Sequence, residues 1–503
     1  MTTPSTTSNT NTFATTGGRA ADPRRFKALW IIVLAQLMVV LDASIVTVAV
    51  PSAQAGLHIS VADRQWVFTS YTLAFGGLLL LGGRIADFVG RKRIFELSLV
   101  GFAAASALGG AAQDATMLFG ARALQGAFAA LLAPSALSLL TATFTDAREQ
   151  ARAFGIYGAV SGGAMSIGLI MGGMLTQWAS WRWTLLVNVP IAAVALAGSR
   201  WLVSESKAND KARYDLAGTV AVTVGLVAMV YGFTEADSDG WGSGVTIALL
   251  AAAVALLTVF VAIEARSQHP LLPLRVLADR TRGGAFLVSL LTIAGLFSTF
   301  LLLTFYLQGT LGYSALKTGL AYLPYSIGTF VGAALAGKLM TWTGPRLLMV
   351  GGLALGATGL LLFAQLGVHS GFWSQVVPAE VVTSLGFGLA FVPLTSTALV
   401  GVRPSDAGVA SALVNTTQQV GNALGVALLN TIAATATAGY VASHGSSAVA
   451  RAVGLVHGYS IAFYVGAVFL ALGAVVSVLL VRVRRQDVAG GGGETLGDLA
   501  EII

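Results

Sequence analysis

Long apolar runs recur along this chain, and they constrain its fold more than any other feature. A helix needs about 20 mostly apolar residues to cross the hydrocarbon core of a bilayer. Such runs cover residues 28–50, 66–84, 94–112, 116–140, 153–176, 183–203, 216–235, 244–264, 284–308, 319–341, 346–366, 373–399, 408–434 and 459–482. The sequence therefore predicts an all-α polytopic membrane protein with about fourteen transmembrane helices.

The composition excludes several other classes of protein. Only 10% of the residues are charged, whereas a soluble domain carries about 25%. The chain has no cysteine, which excludes disulfides, cysteine-ligated zinc and iron–sulfur clusters. It also has no G-x-x-x-x-G-K-[ST] phosphate loop, so we expect no ATPase of its own. Since no catalytic or metal-binding motif occurs either, we expect neither an enzyme nor a cofactor.

The basic residues predict an orientation in the membrane. With the N-terminus inside, 24 Lys and Arg residues fall in the predicted inner loops and tails, and 4 fall in the outer loops. Cytoplasmic loops of membrane proteins retain such an excess. We therefore expect both termini in the cytoplasm and the chain in a bacterial inner membrane. The net charge of +7 reflects this orientation, and we expect no nucleic-acid partner.

The two halves of the chain share features at a nearly constant offset. Residues 83–90 resemble residues 337–344, and Pro134 corresponds to Pro393. Parallel half-repeats with the substrate site between them are a known transporter architecture. We expect a disordered cytoplasmic tail at 1–27, an N-terminal six-helix bundle at 28–203, a linker with two extra transmembrane helices at 204–283, a C-terminal six-helix bundle at 284–482 and a cytoplasmic tail at 483–503.

Four segments carry recognisable motifs. Residues 83–93 read G-R-I-A-D-F-V-G-R-K-R, residues 41–51 read L-D-A-S-I-V-T-V-A-V-P, residues 122–126 read R-A-L-Q-G, and residues 180–190 contain S-W-R-W and N-V-P. In this order they resemble the major facilitator superfamily, in particular its fourteen-helix drug:proton antiporters, exporters of the puromycin-resistance type among them. The resemblance implies that inward-moving protons drive export of small amphipathic, in part cationic, drugs by alternating access. We expect a monomer in the lipid bilayer.

The fifth apolar run departs from the antiporter motif. Where the motif reads G-P-x-x-G-G, this chain has Gly168-Leu169-Ile-Met-Gly172-Gly173. The proline associated with export is missing, while Gly168, Gly172 and Gly173 still permit close helix packing. This departure therefore leaves open a proton-linked nutrient importer of the same fold. An alternative from another class is a membrane-embedded sensor that binds its ligand without moving it.

Three ionisable residues lie inside the predicted spans. Asp42 and Arg122 fall at similar depths, and each would cost roughly 2.5–3.5 kcal/mol if it faced lipid. We expect both to face a central cavity, where Asp42 carries coupling protons and Arg122 modulates its proton affinity. Alternatively, Asp42 only hydrogen-bonds a neighbouring helix. Glu380 is either a second proton site or an attractor of cationic drugs, unless its side chain extends to water.

The loop between the second and third runs has a different predicted role. Its functional residues are Gly83, Arg84, Asp87, Gly90, Arg91, Lys92 and Arg93. The resemblance implies that this latch segment (residues 83–93) holds the two halves together in the outward-facing state. The alternative is that its basic residues only set the topology. The second copy has Thr341 in place of Asp87, so we expect an asymmetric latch.

Overall fold

The computed structural model describes residues 25–60, 63–144, 147–205, 215–267, 272, 274–402, 407–445 and 447–482. Within these ranges the regular secondary structure is helical. The first described helix begins at Arg25, and the extent of the tail 1–27 stays a prediction. Residues 1–24, the C-terminal tail 483–503 and residues 206–214 of the linker lie outside the described ranges.

The first six predicted runs form the N-terminal bundle. Its helices are α1 (Arg25–Gly56), α2 (Trp66–Val89), α3 (Arg91–Gly110), α4 (Ala115–Thr143), α5 (Ala147–Trp178), α6 (Trp183–Leu186) and α7 (Asn188–Leu202). The sixth run is thus divided into a short and a long helix. Local capping fixes some of the helix ends: the side chain of Asp114 accepts a hydrogen bond of 2.8 Å from the Met117 N–H at the start of α4, as N-cap residues commonly do.

The remaining runs form a central pair and a C-terminal bundle. The central helices are α8 (Leu216–Ser238) and α9 (Gly244–Arg266), followed by the short α10 (Leu274–Ala278). The C-terminal helices are α11 (Arg280–Phe305), α12 (Ala315–Ala321), α13 (Leu323–Thr343), α14 (Pro345–Phe363), α15 (Val377–Leu399), α16 (Ala407–His444) and α17 (Ala448–Leu480). Two π-helical turns interrupt the α-helical geometry: Tyr306–Thr310 extends α11, and Phe372–Val376 precedes α15.

Each of the fourteen predicted runs is mostly helical, and some are divided between two helices. In the part of the chain that the structure describes, eleven helices are long and apolar enough to cross a membrane. The chain is therefore an all-α, multi-span membrane protein. The number of fourteen crossings stays a prediction.

Helix packing repeats between the two bundles. In the first bundle α2 packs against α4, α3 against α4 and α1 against α5. The corresponding pairs in the second are α13 with α15, α14 with α15 and α11 with α16. Of the central pair, α8 packs on α9 and also touches both α2 and α16. The extra pair therefore lies at one edge of the contact between the bundles.

Glycines permit the two bundles to approach closely. A Cβ on Gly173 of α5 would lie 2.6 Å from the Ala315 carbonyl oxygen of α12. A Cβ on Gly76 of α2 would lie 3.1 Å from the Gln419 Cβ of α16. Helices in lipid use small residues in this way because dispersion contacts between backbones replace the hydrophobic driving force. The bundles thus meet along two seams, α5 with α12 and α2 with α16.

Candidate functional site

Asp42 on α1 and Arg122 on α4 form an ion pair inside the protein. The Arg122 Nη1 lies 2.5 Å from the Asp42 Oδ2, and the two side chains are 1% and 0% exposed, respectively. The sequence places the residues at similar depth, and the structure brings them into direct contact. An exposed ion pair contributes little, but removing one partner of a buried pair costs about 3–5 kcal/mol.

Two amide side chains complete the surroundings of Asp42. The second carboxylate oxygen, Oδ1, accepts hydrogen bonds from the Gln125 Nε2 at 2.9 Å and from the Asn188 Nδ2 at 2.7 Å. Gln125 also donates to the Ser106 hydroxyl at 2.7 Å. The carboxylate therefore joins α1 to α4 and to α7, with α3 one hydrogen bond further away.

Arg122 has partners of its own besides Asp42. Its Nη1 donates to the Gln125 Oε1 at 2.9 Å, and its Nε donates to the Val67 carbonyl oxygen at 3.0 Å. The guanidinium carbon also lies 4.4 Å from the ring centre of Tyr71, a cation–π geometry. Arg122 is therefore also anchored to α2, through contacts that do not involve Asp42.

The ion pair lies inside one bundle, and our expectation that it faces a central cavity between the two bundles was wrong. The partners named above all belong to α1–α7, and both charged side chains are buried. Residue counting gives the depth of a side chain along a helix. The direction of the side chain depends on the neighbours, and here Gln125 and Asn188 supply within the bundle the polar partners that we expected from a cavity.

A small cavity adjoins Arg122. It has a volume of about 10 Å³, and its walls include Val50, Val67, Leu118 and Thr184. This is close to the space that a single water molecule requires. The lining residues of α1, α2 and α4 all lie on the predicted outer side of the ion pair. The cavity therefore lies between the ion pair and the predicted outer surface.

Glu380 is separate from the ion pair and lies in the C-terminal bundle. It occupies the first turn of α15 and is 0% exposed. Neither carboxylate oxygen has a hydrogen-bond partner among the described residues. The alternative in which this side chain extends to water is therefore wrong in this conformation. The structure brings Asp42 and Arg122 together and leaves Glu380 in a site of its own.

The latch segment connects α2 to α3. Gly90 adopts a φ of 122°, which favours glycine, and a Cβ there would lie 2.9 Å from the Glu205 Oε1. The Lys92 N–H donates to the same oxygen at 3.1 Å, and the Arg93 Nε lies 3.9 Å from the Glu205 Oε2. Glu205 follows α7, so these contacts stay within the N-terminal bundle.

The other predicted latch residues are described only in part. Gly83 packs near Pro134 of α4, because a Cβ added to Gly83 would lie 3.5 Å from the Pro134 Cβ. Arg91 is the first residue of α3. The side chains of Arg84 and Asp87 lie outside the described residues. Glu205 was not predicted as a partner of this loop, although it is an acid directly after the sixth apolar run.

The glycines of α5 lie against α1 beside the ion pair. A Cβ on Gly172 would lie 2.5 Å from the Ile45 carbonyl oxygen, and a Cβ on Gly168 would contact the Ser44 hydroxyl. Gly173 instead faces α12 of the other bundle. Leu169 is buried within an unbroken helix. Helix α5 therefore connects the helix that carries Asp42 with the contact between the bundles.

The bundles also touch at the end that we predict to be outer. The Arg64 guanidinium lies 3.6 Å from the ring centre of Phe305, and Arg64 is 8% exposed. Nearby, the Gln308 Nε2 donates to the Val48 carbonyl oxygen at 3.0 Å. The sequence analysis treated Arg64 only as an outer-loop charge. The structure places it in a contact that holds the two bundles together.

Comparison with known proteins agrees with this architecture. The Major Facilitator Superfamily matches residues 32–426. The chain is 49% identical to the puromycin resistance protein pur8 of Streptomyces alboniger, over 92% of this chain and 93% of that protein. It is 40% identical to the cephamycin export protein CmcT of Amycolatopsis lactamdurans, over 82% and 86% of the two chains.

A solved structure shares the fold. It is the crystal structure of a bacterial homologue of the human lysosomal transporter Spinster, in an inward-facing and unoccupied conformation. The TM-score is 0.67 at 16% identity, and the match covers 93% of this chain and 98% of that chain. With a family match over most of its length and two related proteins at 40% identity or more, this chain belongs to the Major Facilitator Superfamily.

Proposed function

We propose that this protein is a proton-driven exporter of amphipathic antibiotics that works by alternating access of its two bundles. Two relatives of nearly full coverage carry names that refer to antibiotic resistance or export. Puromycin is the first substrate to test, because the relative at 49% identity is a puromycin resistance protein. The protein resides in a bacterial inner membrane as a monomer with both termini in the cytoplasm.

The observation that carries the proton coupling is the buried Asp42–Arg122 pair. A proton on Asp42 neutralises the carboxylate and leaves Arg122 without its charge partner. The hydrogen bonds that Gln125 and Asn188 donate to Oδ1 weaken as well, because the acceptor is no longer charged. A loss of about 3 kcal/mol at such a pair shifts a two-state equilibrium more than 100-fold. We infer that the pair forms in only one of the two conformations, so that protonation of Asp42 changes which conformation is favoured.

Coupling to the drug is indirect in this proposal. Asp42 lies within one bundle, so proton and drug do not compete for the same position there. The ion pair instead acts through α1, on which α5 packs by Gly168 and Gly172, and α5 reaches the second bundle by Gly173. A rearrangement at Asp42 thus has a continuous path of packed backbone to the seam between the bundles.

Alternation requires contacts that close one end and release the other. At the predicted outer end, Arg64 and Gln308 cross between the bundles. At the predicted cytoplasmic end, the Lys92 N–H and the Arg93 guanidinium contact Glu205, which directly follows α7. We infer that the latch segment engages the C-terminal bundle when the outer contacts open.

The test is a drug-susceptibility panel in a host that lacks its own efflux pumps. Cells that express the wild type should tolerate several-fold more puromycin than cells with an empty vector, and cells that express Asp42→Asn at equal membrane abundance should not. An importer would raise drug accumulation or rescue growth on a nutrient. A sensor would leave drug accumulation unchanged, and either result would contradict export.

A further inference from the structure

The C-terminal bundle contains a buried acidic–aromatic cluster formed by Glu380, Phe300, Tyr322 and Tyr325. The Phe300 ring centre lies 4.6 Å from that of Tyr325 in an edge-on arrangement and 5.6 Å from that of Tyr322. None of the four residues is more than 7% exposed. Tyr325 lies about one turn before Gly328 on α13, where an added Cβ would lie 3.5 Å from the carbonyl oxygen of Val381, the neighbour of Glu380 on α15. The four side chains therefore lie where α11, α13 and α15 pack together, with Tyr322 directly before α13.

Three polar atoms of this cluster lack partners among the described residues. They are the Oε1 and Oε2 of Glu380 and the Oη of Tyr325. The hydroxyl of Tyr322 differs, because it donates to the Phe300 carbonyl oxygen at 2.6 Å and lies 2.7 Å from the Thr304 Oγ1. A buried polar group without a partner is costly. Three such atoms in one cluster indicate a site that is completed by a ligand.

The chemistry of the cluster selects the type of ligand. A carboxylate supplies negative charge, a tyrosine oxygen accepts a hydrogen bond, and aromatic faces attract a cation. A protonated amine satisfies all three, whereas an anion is repelled. A metal ion requires more ligands, and no group of three His, Cys, Asp or Glu side chains that could hold one occurs in the described ranges. An organic ammonium group is therefore the ligand that fits.

The cluster also lies where the helices depart from regular geometry. The π-helical turn Tyr306–Thr310 follows Phe300 by less than two turns, and Phe372–Val376 ends just before Glu380. Such turns occur frequently at functional sites. Gln308, in the first of them, hydrogen-bonds Val48 of the N-terminal bundle. Separation of the bundles would therefore act directly on the segment beside the cluster and give a ligand access to it.

We propose that Glu380, together with Tyr325 and the ring of Phe300, binds the protonated amine of an exported drug. This inference rests on the proposed function, since it names the chemical group that the exporter recognises. It gives the two bundles different tasks: Asp42 in the first handles the proton, and Glu380 in the second handles the charge of the drug.

The test compares two ligands that differ in one charge. Puromycin carries a protonated amine, and N-acetylpuromycin has the same scaffold without that charge. Their binding to full-length protein in lipid nanodiscs is measured for the wild type, Glu380→Gln and the matched control Glu264→Gln. Glu264 is also a buried acid, 4% exposed, but its Oε2 accepts a hydrogen bond from the Leu272 N–H, and it lies on α9 of the central pair.

We expect Glu380→Gln to weaken puromycin binding about tenfold or more and to change N-acetylpuromycin binding less than about twofold. Tyr325→Phe should cause a smaller loss for puromycin, and Glu264→Gln should leave the affinities for both ligands unchanged. Since the Glu380 oxygens have no partner to lose among the described residues, Glu380→Gln should not lower the melting temperature. The melting temperature therefore distinguishes a variant that has lost the binding site from a variant that has unfolded.

If Glu380→Gln lost equal affinity for both ligands, the proposal would be overturned. It would also be overturned if Glu380→Gln kept its puromycin affinity and lost proton flux, because Glu380 would then be a second proton site. If the wild type does not bind puromycin, the cation tetraphenylphosphonium is the second probe. Binding of that cation by the wild type and about tenfold weaker binding by Glu380→Gln would support the cluster while puromycin export fails. A wild type that binds neither cation would contradict the cluster itself.

Discussion

The energetics of the ion pair can be tested by removing its charges one at a time. Arg122→Gln leaves Asp42 as a lone charge with two hydrogen bonds from amide groups, and Asp42→Asn leaves Arg122 with Gln125, Val67 and the Tyr71 ring. Both side chains are at most 1% exposed. Because each single substitution strands a buried charge, we expect each to destabilise the protein by about 3 kcal/mol.

The double variant Asp42→Asn, Arg122→Gln removes both charges and leaves neutral amides in their place. If the two losses were independent, they would add to about 6 kcal/mol. Since neither charge is stranded, we expect the double variant to lose only about 3 kcal/mol or less, a coupling of about 3 kcal/mol. Unfolding in mixed micelles at increasing dodecyl sulfate, followed by tryptophan fluorescence, measures all four proteins. Additive losses would refute the coupled pair.

Three further substitutions test the packing and the gating contacts. Gly172→Ala places a Cβ 2.5 Å from a backbone oxygen of α1 and should abolish transport. The control Gly163→Ala should retain transport, because nothing lies within 4 Å of the added Cβ. Drug efflux from cells compares the two variants. Arg64→Ala removes the cation from the Phe305 ring and should favour opening at the outer end. A single cysteine introduced at that end of this cysteine-free chain should then be labelled faster. Unchanged labelling would contradict a gating role for Arg64. Gly90→Ala forces a residue with a Cβ to a φ of 122° at a cost of roughly 1–2 kcal/mol, and a thermal melt that equals the wild type would contradict it.

The sequence predicts the helices and the depth of the charges but not the partners of the charges. The 1.5 Å rise per residue fixes how far Asp42 lies along its helix. Gln125 and Asn188 belong to recognised motifs, yet they contact Asp42 across 83 and 146 residues of sequence. Which faces of three helices meet depends on tertiary packing, and glycines such as Gly168 and Gly172 set that packing through contacts that hydropathy does not report.

Irregular backbone is the other feature that the sequence did not reveal. The sixth run divides between Leu186 and Asn188, and π-helical turns occur at Tyr306–Thr310 and Phe372–Val376. A hydropathy pattern records only which residues are apolar. The pattern is the same whether each carbonyl accepts a hydrogen bond from the N–H four residues ahead, as in an α-helix, or five residues ahead, as in a π-helix. The two π-helical turns lie within two helical turns of Phe300 and Glu380 along the chain. Glu380 can be identified from the sequence, whereas its aromatic surroundings come from the packing of three helices.

The central claim is that Asp42 takes up and releases the coupling proton, and drug-triggered proton movement in proteoliposomes tests it most directly. Vesicles with an acidic interior and a trapped pH-sensitive dye receive puromycin from outside, and protein-free vesicles correct for passive entry of the drug. We predict that the wild type alkalinises the interior and that Asp42→Asn, reconstituted as folded protein in equal amount, does not exceed the protein-free rate. Alkalinisation by Asp42→Asn at the wild-type rate would contradict the claim.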